Sequence, residues 1–575
     1  MIPRAEHPRP HFYRDSWENL NGSWEFELDP GRSGVDRRLY EAEGFSRTIT
    51  VPFCPESALS GVGEKDFLNA VWYRRRVEIH KDGSRVLLHF GAVDYLCRVW
   101  VNGKEAGSHK GGYASFTLDI THLVFDGENT LTVYAEDNLR DGCQPRGKQS
   151  SLYQSHGCDY TRTTGIWQTV WLEYVPQCYL QSAKFVTDAG SKVSVTVALG
   201  GSIPPGCKVK ITASYEGNPM GSISVPVCSH TAVLPLKVDQ VYLWEPGHGR
   251  LYDYTCELIE DGMVTDQVLG YFGIRSLLWQ DGKMLLNGKP VFQRLVLDQG
   301  FYPDGIYTAP SDEALRRDIE LSMAAGFNGA RLHQKVFEER FLYWADKLGY
   351  MVWGEQGSWG LDHSRPESVL YFLPEWMEIV QRDISHPAIV GWCPFNETWD
   401  VNGRKQCDDV LRTVYLTTKA IDPTRPVIDT SGGFHVETDI YDIHDYEQSV
   451  EVYRERYEKV AQGEYFDPFP KREQYQGQPY FVSEFGGARW APNDTSGWGY
   501  GNAPQTEEEF AERYAGLAGA LLSCKNVCAF CYTQLTDIEQ EQNGLYNFDR
   551  TPKFQPEIYE KIRAANLRPA AMETE

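Results

Sequence analysis

Two short stretches each deliver a glutamate at the end of an apolar run. Ala388 to Trp392 reads as a buried strand and is followed by Cys393-Pro394-Phe395-Asn396-Glu397-Thr398-Trp399. Tyr480-Phe481-Val482 leads in the same way into Ser483-Glu484-Phe485-Gly486-Gly487. A carboxylate set against apolar surroundings is costly unless it is used or paired. Two of them are the equipment for breaking a glycosidic bond. One must be protonated to help the leaving oxygen depart, and the other ionised to attack or to activate water. Like charges a few ångströms apart push their pKa values in opposite directions, which supplies both states from one residue type. Glu397 and Glu484 are therefore the candidate catalytic pair. Asn396 fits beside the acid, because an amide can hydrogen-bond a sugar 2-hydroxyl as charge develops at the anomeric carbon. The competing reading holds both glutamates in ion pairs at strand ends.

For the pair to meet, the fold must bring distant strand ends together. After Phe272-Gly273-Ile274-Arg275 strands begin to alternate with helices. Ser311 predicts a helix cap, with Asp312 and Glu313 in the first turn, Leu315, Ile319 and Met323 on one face and Gly326 as the stop. Phe337, Phe341, Trp344 and Leu348 form the stripe of a second helix ending at Gly349. Thr506-Glu507-Glu508-Glu509 reads as a capping box before Phe510, Tyr514, Leu517 and Leu521. Strands are expected at 291–297, 328–332, 350–353, 388–392, 426–429, 440–443, 479–482 and 527–532. Eight strands with helical returns over residues 276–575 match a (β/α)8 TIM barrel, which places chemistry at the C-terminal ends of its strands. Those ends carry Asp298, Arg331, His333, Glu355, Asn396, Glu397, His444, Tyr446, Glu484, Tyr532 and Gln534. Beyond the two glutamates these are the candidate substrate-binding residues. Arg331 either holds Glu484 ionised by a charge-assisted bond or packs as a plain salt bridge. His333 and His444 either touch the sugar or cap the barrel. Trp359, Trp399 and Trp490 either wall a pocket or pack.

The chain ahead of the barrel is β-rich. Residues 1–177 show short alternating strands with Asn102-Gly103 as a hairpin signal, and predict a β-sandwich. Residues 178–275 continue as strands, broken by Pro204-Pro205-Gly206 and turned at Asp261-Gly262. That density suits an immunoglobulin-like β-sandwich without catalytic residues.

Composition narrows the partners. At 575 residues the chain exceeds one core and suggests two to four domains. A net charge of −24 argues against nucleic acid or an anionic membrane, since phosphate binding runs on clustered Lys and Arg. No apolar run is long enough for a membrane span, and the first residues lack the apolar core of a signal peptide. Thirteen scattered cysteines favour reduced thiols and a cytoplasmic location. Cys524, Cys528 and Cys531 lack a fourth ligand at metal spacing and read as part of a buried strand.

These residues resemble glycoside hydrolase family two, which includes β-galactosidases, β-glucuronidases and β-mannosidases. Leu20-Asn21-Gly22-Ser23-Trp24-Glu25-Phe26 resembles the family's opening. Val101-Asn102-Gly103-Lys104, Gly112-Tyr113 and Gly165-Ile166-Trp167-Gln168 resemble its sugar-binding-like jelly roll. Asn396-Glu397 resembles its acid/base motif and Ser483-Glu484-Phe485-Gly486 its nucleophile motif. The resemblance implies exo action by a retaining mechanism, with Glu484 as nucleophile and Glu397 as acid/base. It leaves a symmetric homo-oligomer open.

Departures from the family bear on the sugar. Family β-glucuronidases grip the substrate carboxylate with Asn-x-Lys after the eighth strand, whereas Glu541 and Asn543 align there and the lysine is missing. The magnesium pair of long β-galactosidases is not matched in Glu355-Gln356-Gly357-Ser358-Trp359-Gly360, so no metal or cofactor is expected. Arg331-Leu332-His333-Gln334-Lys335 and Tyr532 also differ from the usual pattern. A neutral glycone, first of all a β-galactoside, is the expectation. The alternative is a β-glucuronide or other hexuronide held by residues such as Arg331 or Lys335. A non-catalytic carbohydrate-binding protein on a dead barrel would have lost a carboxylate, and both are present.

Overall fold

The computed structural model describes residues 2–401, 403–472, 475–492, 494 and 496–574. Two facing antiparallel sheets form first. One runs Arg47–Val51, Gly22–Leu28, Ala70–Ile79, Gly127–Glu136, Leu96–Val101, Lys104–Lys110 in spatial order, the other Trp17–Asn19, Val170–Val175, Arg85–Phe90, Phe116–Asp119. Their alternating inward residues, among them Trp24, Phe26, Leu88, Val99 and Val133, share one apolar cluster. Asn102 and Gly103 close the hairpin with φ of 51° and 75°, the two positive values that a tight hairpin turn requires.

A smaller sandwich follows. Cys178–Thr187, Lys192–Gly201 and Thr231–Lys237 face Asn218–Pro226, Lys208–Tyr215, Tyr252–Glu260 and Met263–Phe272. They close over a core that includes Val195, Val197, Ile211 and Leu258.

The remainder is the barrel. Its strands are β1 (Gln293–Asp298), β2 (Gly329–Leu332), β3 (Met351–Glu355), β4 (Ile389–Cys393), β5 (Phe395–Asn396), β6 (Thr430–Ser431), β7 (Tyr441–Asp445), β8 (Tyr480–Phe485) and β9 (Val527–Tyr532). Seven of them form one sheet in the order β4-β3-β2-β1-β9-β8-β7, with every pairing parallel. Both faces are covered, and the strands accordingly read as continuous apolar runs.

The fifth barrel position departs from expectation: 426–429 is not a regular strand. Trp392 N–H donates to Pro426 O at 3.0 Å and Ile428 N–H to Trp392 O at 2.9 Å, and regular pairing resumes only between β5 and β6. Pro426 has no N–H to give. The Asp429 carboxylate accepts from Val436 N–H (2.6 Å) and Glu437 N–H (3.0 Å), which turns the chain out of the sheet.

Helices α1 (Asp312–Ala324), α2 (Glu339–Leu348), α3 (Val369–Asp383), α4 (Asp408–Ile421), α5 (Val450–Ala461), α6 (Glu507–Ser523) and α7 (Pro556–Asn566) accompany the strands. Ser311 and Thr506 cap α1 and α6 by accepting from Ala314 N–H and Glu509 N–H. Phe337 lies just ahead of α2, whose buried face is Phe341, Leu342 and Ala345. Among the described residues no helix is long and apolar enough to cross a membrane. The barrel core continues without a break into Tyr113, Tyr160 and Trp167 of the first sandwich, so the two are packed as one body at that edge.

Candidate active site

The two glutamates arrive from opposite walls. Glu484 stands near the end of β8, while Glu397 follows β5 and is turned by a φ of +52°. Non-glycine residues seldom adopt that left-handed conformation, which costs roughly 1–3 kcal/mol and is found where a site demands it. Glu397 N–H donates to Ser431 O at 2.8 Å, so β6 fixes the turn. As a result an oxygen of Glu397 and one of Glu484 lie within 4.8 Å of each other.

His444, at the end of β7, bridges them. Its Nδ1 is 2.9 Å from Glu397 Oε1 and its Nε2 is 3.4 Å from Glu484 Oε1. Burial works against charge on this imidazole, but Glu484 and the bond to Glu397 more than offset it and raise its pKa. For Glu397 the balance is reciprocal. Burial favours the neutral acid, and His444, then Lys148 and Arg331, overcome it and hold the carboxyl below its ordinary value.

Arg331 is the hub of the cleft floor. It donates through Nε to Glu355 Oε1 (2.6 Å), through Nη1 to Ser483 O (2.9 Å) and Glu484 Oε1 (3.2 Å), and through Nη2 to Asn396 Oδ1 (3.1 Å). Burial opposes its charge, but Glu355 and Glu484 raise its pKa well above the ordinary value, so it stays a cation. Glu355 also faces His333 Nδ1 at 3.2 Å, and burial together with the charge of Lys148 keeps His333 neutral. Tyr446 donates its hydroxyl to Glu484 and stacks on Tyr500 with ring centroids 3.5 Å apart. Asn396 is held at three points: Oδ1 by Arg331, N–H to Ser358 Oγ, and O by Trp359 Nε1. Its buried Nδ2 has no partner among the described residues.

The structure thus gathers Glu397, Glu484, Asn396, Arg331, His333, Glu355, His444 and Tyr446 into one hydrogen-bonded set. Three other predicted residues stand apart. Asp298 accepts from Gly300 N–H at 2.9 Å and is raised to about 7 by burial and by Asp318. The Tyr532 ring packs behind Gly486, between Phe485 and Tyr514. Gln534 bonds Asn543 and Gln299 at the rim. Trp359 walls the cleft, whereas Trp490 stacks on Phe554 and Trp399 is largely exposed. Lys335, one of the two cations expected for a hexuronide, is spent on the carbonyls of Gly300 and Tyr307. Arg331, the other, is spent as described.

Sequence reading missed what the first sandwich contributes. Lys148 and Tyr160, 6% and 0% exposed, reach the barrel from a loop of the sandwich. Tyr160 donates to Glu541, which also accepts from Asn543 Nδ2 at 3.1 Å. The Lys148 ammonium lies 5.1 Å from the Trp359 ring centroid. A lysine in an irregular loop of an all-β domain has no local pattern to mark it.

Glu397, His444 and Glu484 have the composition of a metal site. The imidazole, however, turns opposite nitrogens to the two carboxylates, and Glu484 already accepts from Arg331 and Tyr446. That is the pattern of a proton-sharing network, not of ligands converging on one point. A separate cavity of about 970 Å³ lies at the N-terminal ends of the strands, against the second sandwich. Two of its lining ion pairs are Lys419 with Asp439 and Arg425 with Asp422, and none of the gathered site residues lines it.

Comparison with known proteins gives matches along most of the chain. Residues 62–176 match the profile described as glycosyl hydrolases family 2, sugar binding domain. Residues 180–275 match glycosyl hydrolases family 2, and 279–493 match its TIM barrel domain. A β-galactosidase of Thermoanaerobacter pseudethanolicus is 28% identical over 398 residues, covering 67% of this chain and 50% of that protein. The chain therefore spans about half the length of that relative. A β-glucuronidase of Paenibacillus borealis is 24% identical over 441 residues, covering 71% and 72%. The crystal structure of Ruminococcus gnavus β-glucuronidase superposes with a TM-score of 0.80 over 98% of this chain and 99% of that one, at 18% identity, and so shares the fold.

Proposed function

This chain belongs to glycosyl hydrolase family 2, and on that premise we propose that it is a retaining exo-β-glycosidase. The observation that carries the reading is the approach of Glu397 and Glu484 to within 4.8 Å between nearest oxygens. Retaining pairs sit about 5–5.5 Å apart, whereas inverting pairs need about 6.5–9.5 Å to admit a water. In this reading Glu484 attacks the anomeric carbon while Glu397 protonates the departing oxygen. Glu397 then takes a proton from water as the water displaces Glu484. Arg331 and Tyr446 donate hydrogen bonds to the nucleophile and hold it in place. Arg331 also fixes the Asn396 amide so that its free Nδ2 can donate to the sugar 2-hydroxyl. His444 Nδ1, 2.9 Å from Glu397 Oε1, is within reach to exchange a proton with it. All thirteen cysteines are free, which favours the reducing cytoplasm expected.

A panel of nitrophenyl β-glycosides, followed by NMR of the first product anomer, tests this. The β-anomer of the released sugar is expected to appear first and then mutarotate. First release of the α-anomer, or no hydrolysis of any glycoside, would sink the proposal.

His444 is proposed as a positioning residue that tunes the acid. A carboxyl held below its ordinary value loses its proton at lower pH. His444→Asn removes the group that holds it there, so the alkaline limb of kcat/KM is expected to move to higher pH. A limb that stays put while the rate falls would make His444 merely structural.

The relatives' names divide the glycone between galactoside and glucuronide. The two differ in configuration at C4 and in charge at C6, and the charge calls for a cation placed to meet it.

A further inference from the structure

Building on the glycosidase reading, we propose that Lys148 of the first sandwich binds the carboxylate of a β-linked hexuronide glycone. Lys148 is 6% exposed at the barrel mouth, and its ammonium, over the Trp359 ring, makes no hydrogen bond or ion pair within the described residues. An ammonium facing the cleft with three unfilled donors is set to take an incoming anion. The other cations of the site are committed: Arg331 to Glu355, Glu484, Asn396 and a carbonyl, Lys335 to two carbonyls.

The backbone that presents Lys148 is locked onto the barrel. Arg146 and Gly147 N–H both donate to Trp359 O, at 2.8 and 3.2 Å. Lys148 O accepts from Tyr160 N–H at 2.7 Å, and Gln149 is fixed by Asp94 and Thr163 N–H. Gly147 has φ +60°, and a Cβ there would stand 2.5 Å from Gln334 O, so only glycine allows this approach. The ammonium therefore sits above Trp359, whose Nε1 holds Asn396 O, on the same cleft as the glutamates.

The nearby acids Glu541, Glu484 and Glu397 favour the ammonium's charge at a distance, but none of them bonds it. Glu541 is satisfied by Tyr160 and Asn543, and burial raises its pKa, which lessens its repulsion of an incoming carboxylate. A neutral hexose in the same place would offer the ammonium no carboxylate to bond, so the site favours the charged sugar. This reverses the neutral glycone expected from the missing lysine beside Asn543. The cation comes from a different domain.

The test compares kcat/KM on nitrophenyl β-glucuronide and β-galacturonide with the matching β-glucoside and β-galactoside. Wild-type protein is expected to prefer a uronide. Lys148→Met, which keeps the stem and removes the charge, is expected to lower the uronide-to-hexoside ratio by about 100-fold, mostly through KM. Lys148→Arg should restore part of it. A purely structural lysine would depress uronide and hexoside alike. A ratio unchanged in Lys148→Met, or a wild-type preference for the neutral sugar, overturns the proposal.

A second readout is binding of free glucuronate and galacturonate, by calorimetry, to Glu484→Gln protein with and without Lys148→Met. Binding that Lys148→Met abolishes supports the assignment even if no glycoside is cleaved, in which case only the glycosidase reading falls. Binding that does not depend on Lys148 overturns it. Uronide cleavage that does not depend on Lys148 overturns it too, and leaves the glycosidase reading standing. An unchanged thermal midpoint verifies that Lys148→Met is folded.

Discussion

Glu484→Gln is expected to lower kcat by on the order of 10⁴-fold or more on every cleavable glycoside. The amide is nearly isosteric but cannot attack the anomeric carbon. Arg331 keeps its bonds to Glu355, Asn396 and Ser483 O in the variant, so the cleft floor should hold and substrate should still bind. The competing reading, in which Glu484 only pairs with Arg331, makes the opposite forecast: lost stability with the rate nearly kept. Steady-state kinetics beside a melting curve separate the two. A residual kcat within tenfold of wild type would remove Glu484 from the chemistry. A 2-fluoro glycoside, which slows hydrolysis of the covalent intermediate, should in wild-type protein label the peptide containing Glu484.

Glu397→Ala is expected to behave differently with different leaving groups. For alkyl glycosides, whose oxygen must be protonated to depart, kcat should drop by about 10²–10⁴-fold. For dinitrophenyl glycosides the first step needs no acid, so the glycosyl-enzyme forms and then waits for a base that is gone. Azide, which needs no base, should restore turnover and yield the β-glycosyl azide. Glu397 is 22% exposed and bonds one side chain, His444, so stability should change little. Equal losses on both substrate classes without azide rescue would assign the acid elsewhere.

Much of this site could be read before the structure, for a definite reason. Each barrel strand is buried on both faces, so its end is marked where an apolar run gives way to polar residues, and Arg331, Glu355 and, one residue on from Ser483, Glu484 stand at such marks. Other features left no such mark. The out-of-line course near Asp429 follows from a carboxylate binding N–H groups seven and eight residues ahead, which a short apolar window cannot reveal. Asp298 occupies a strand end as expected but turns to Gly300, because a strand end fixes position and not side-chain direction. Lys335 sits close to Arg331 in sequence, yet carbonyls take its ammonium. Lys148 lies in another domain altogether. Its place depends on the docking of two cores, and no local periodicity encodes that.

The loop that carries Lys148 and Tyr160 also bears on how the molecule matures. The barrel can close by contacts between neighbouring strands, but the rim at Glu541 is complete only when a segment made hundreds of residues earlier is seated on it. Contacts of such long sequence separation form late, because the loop entropy must be met before they give anything back. Catalytic competence therefore reports the docking of finished domains and not the folding of any one of them. A barrel excised from its sandwich would lose that seated rim together with the part of its core that Tyr113, Tyr160 and Trp167 supply.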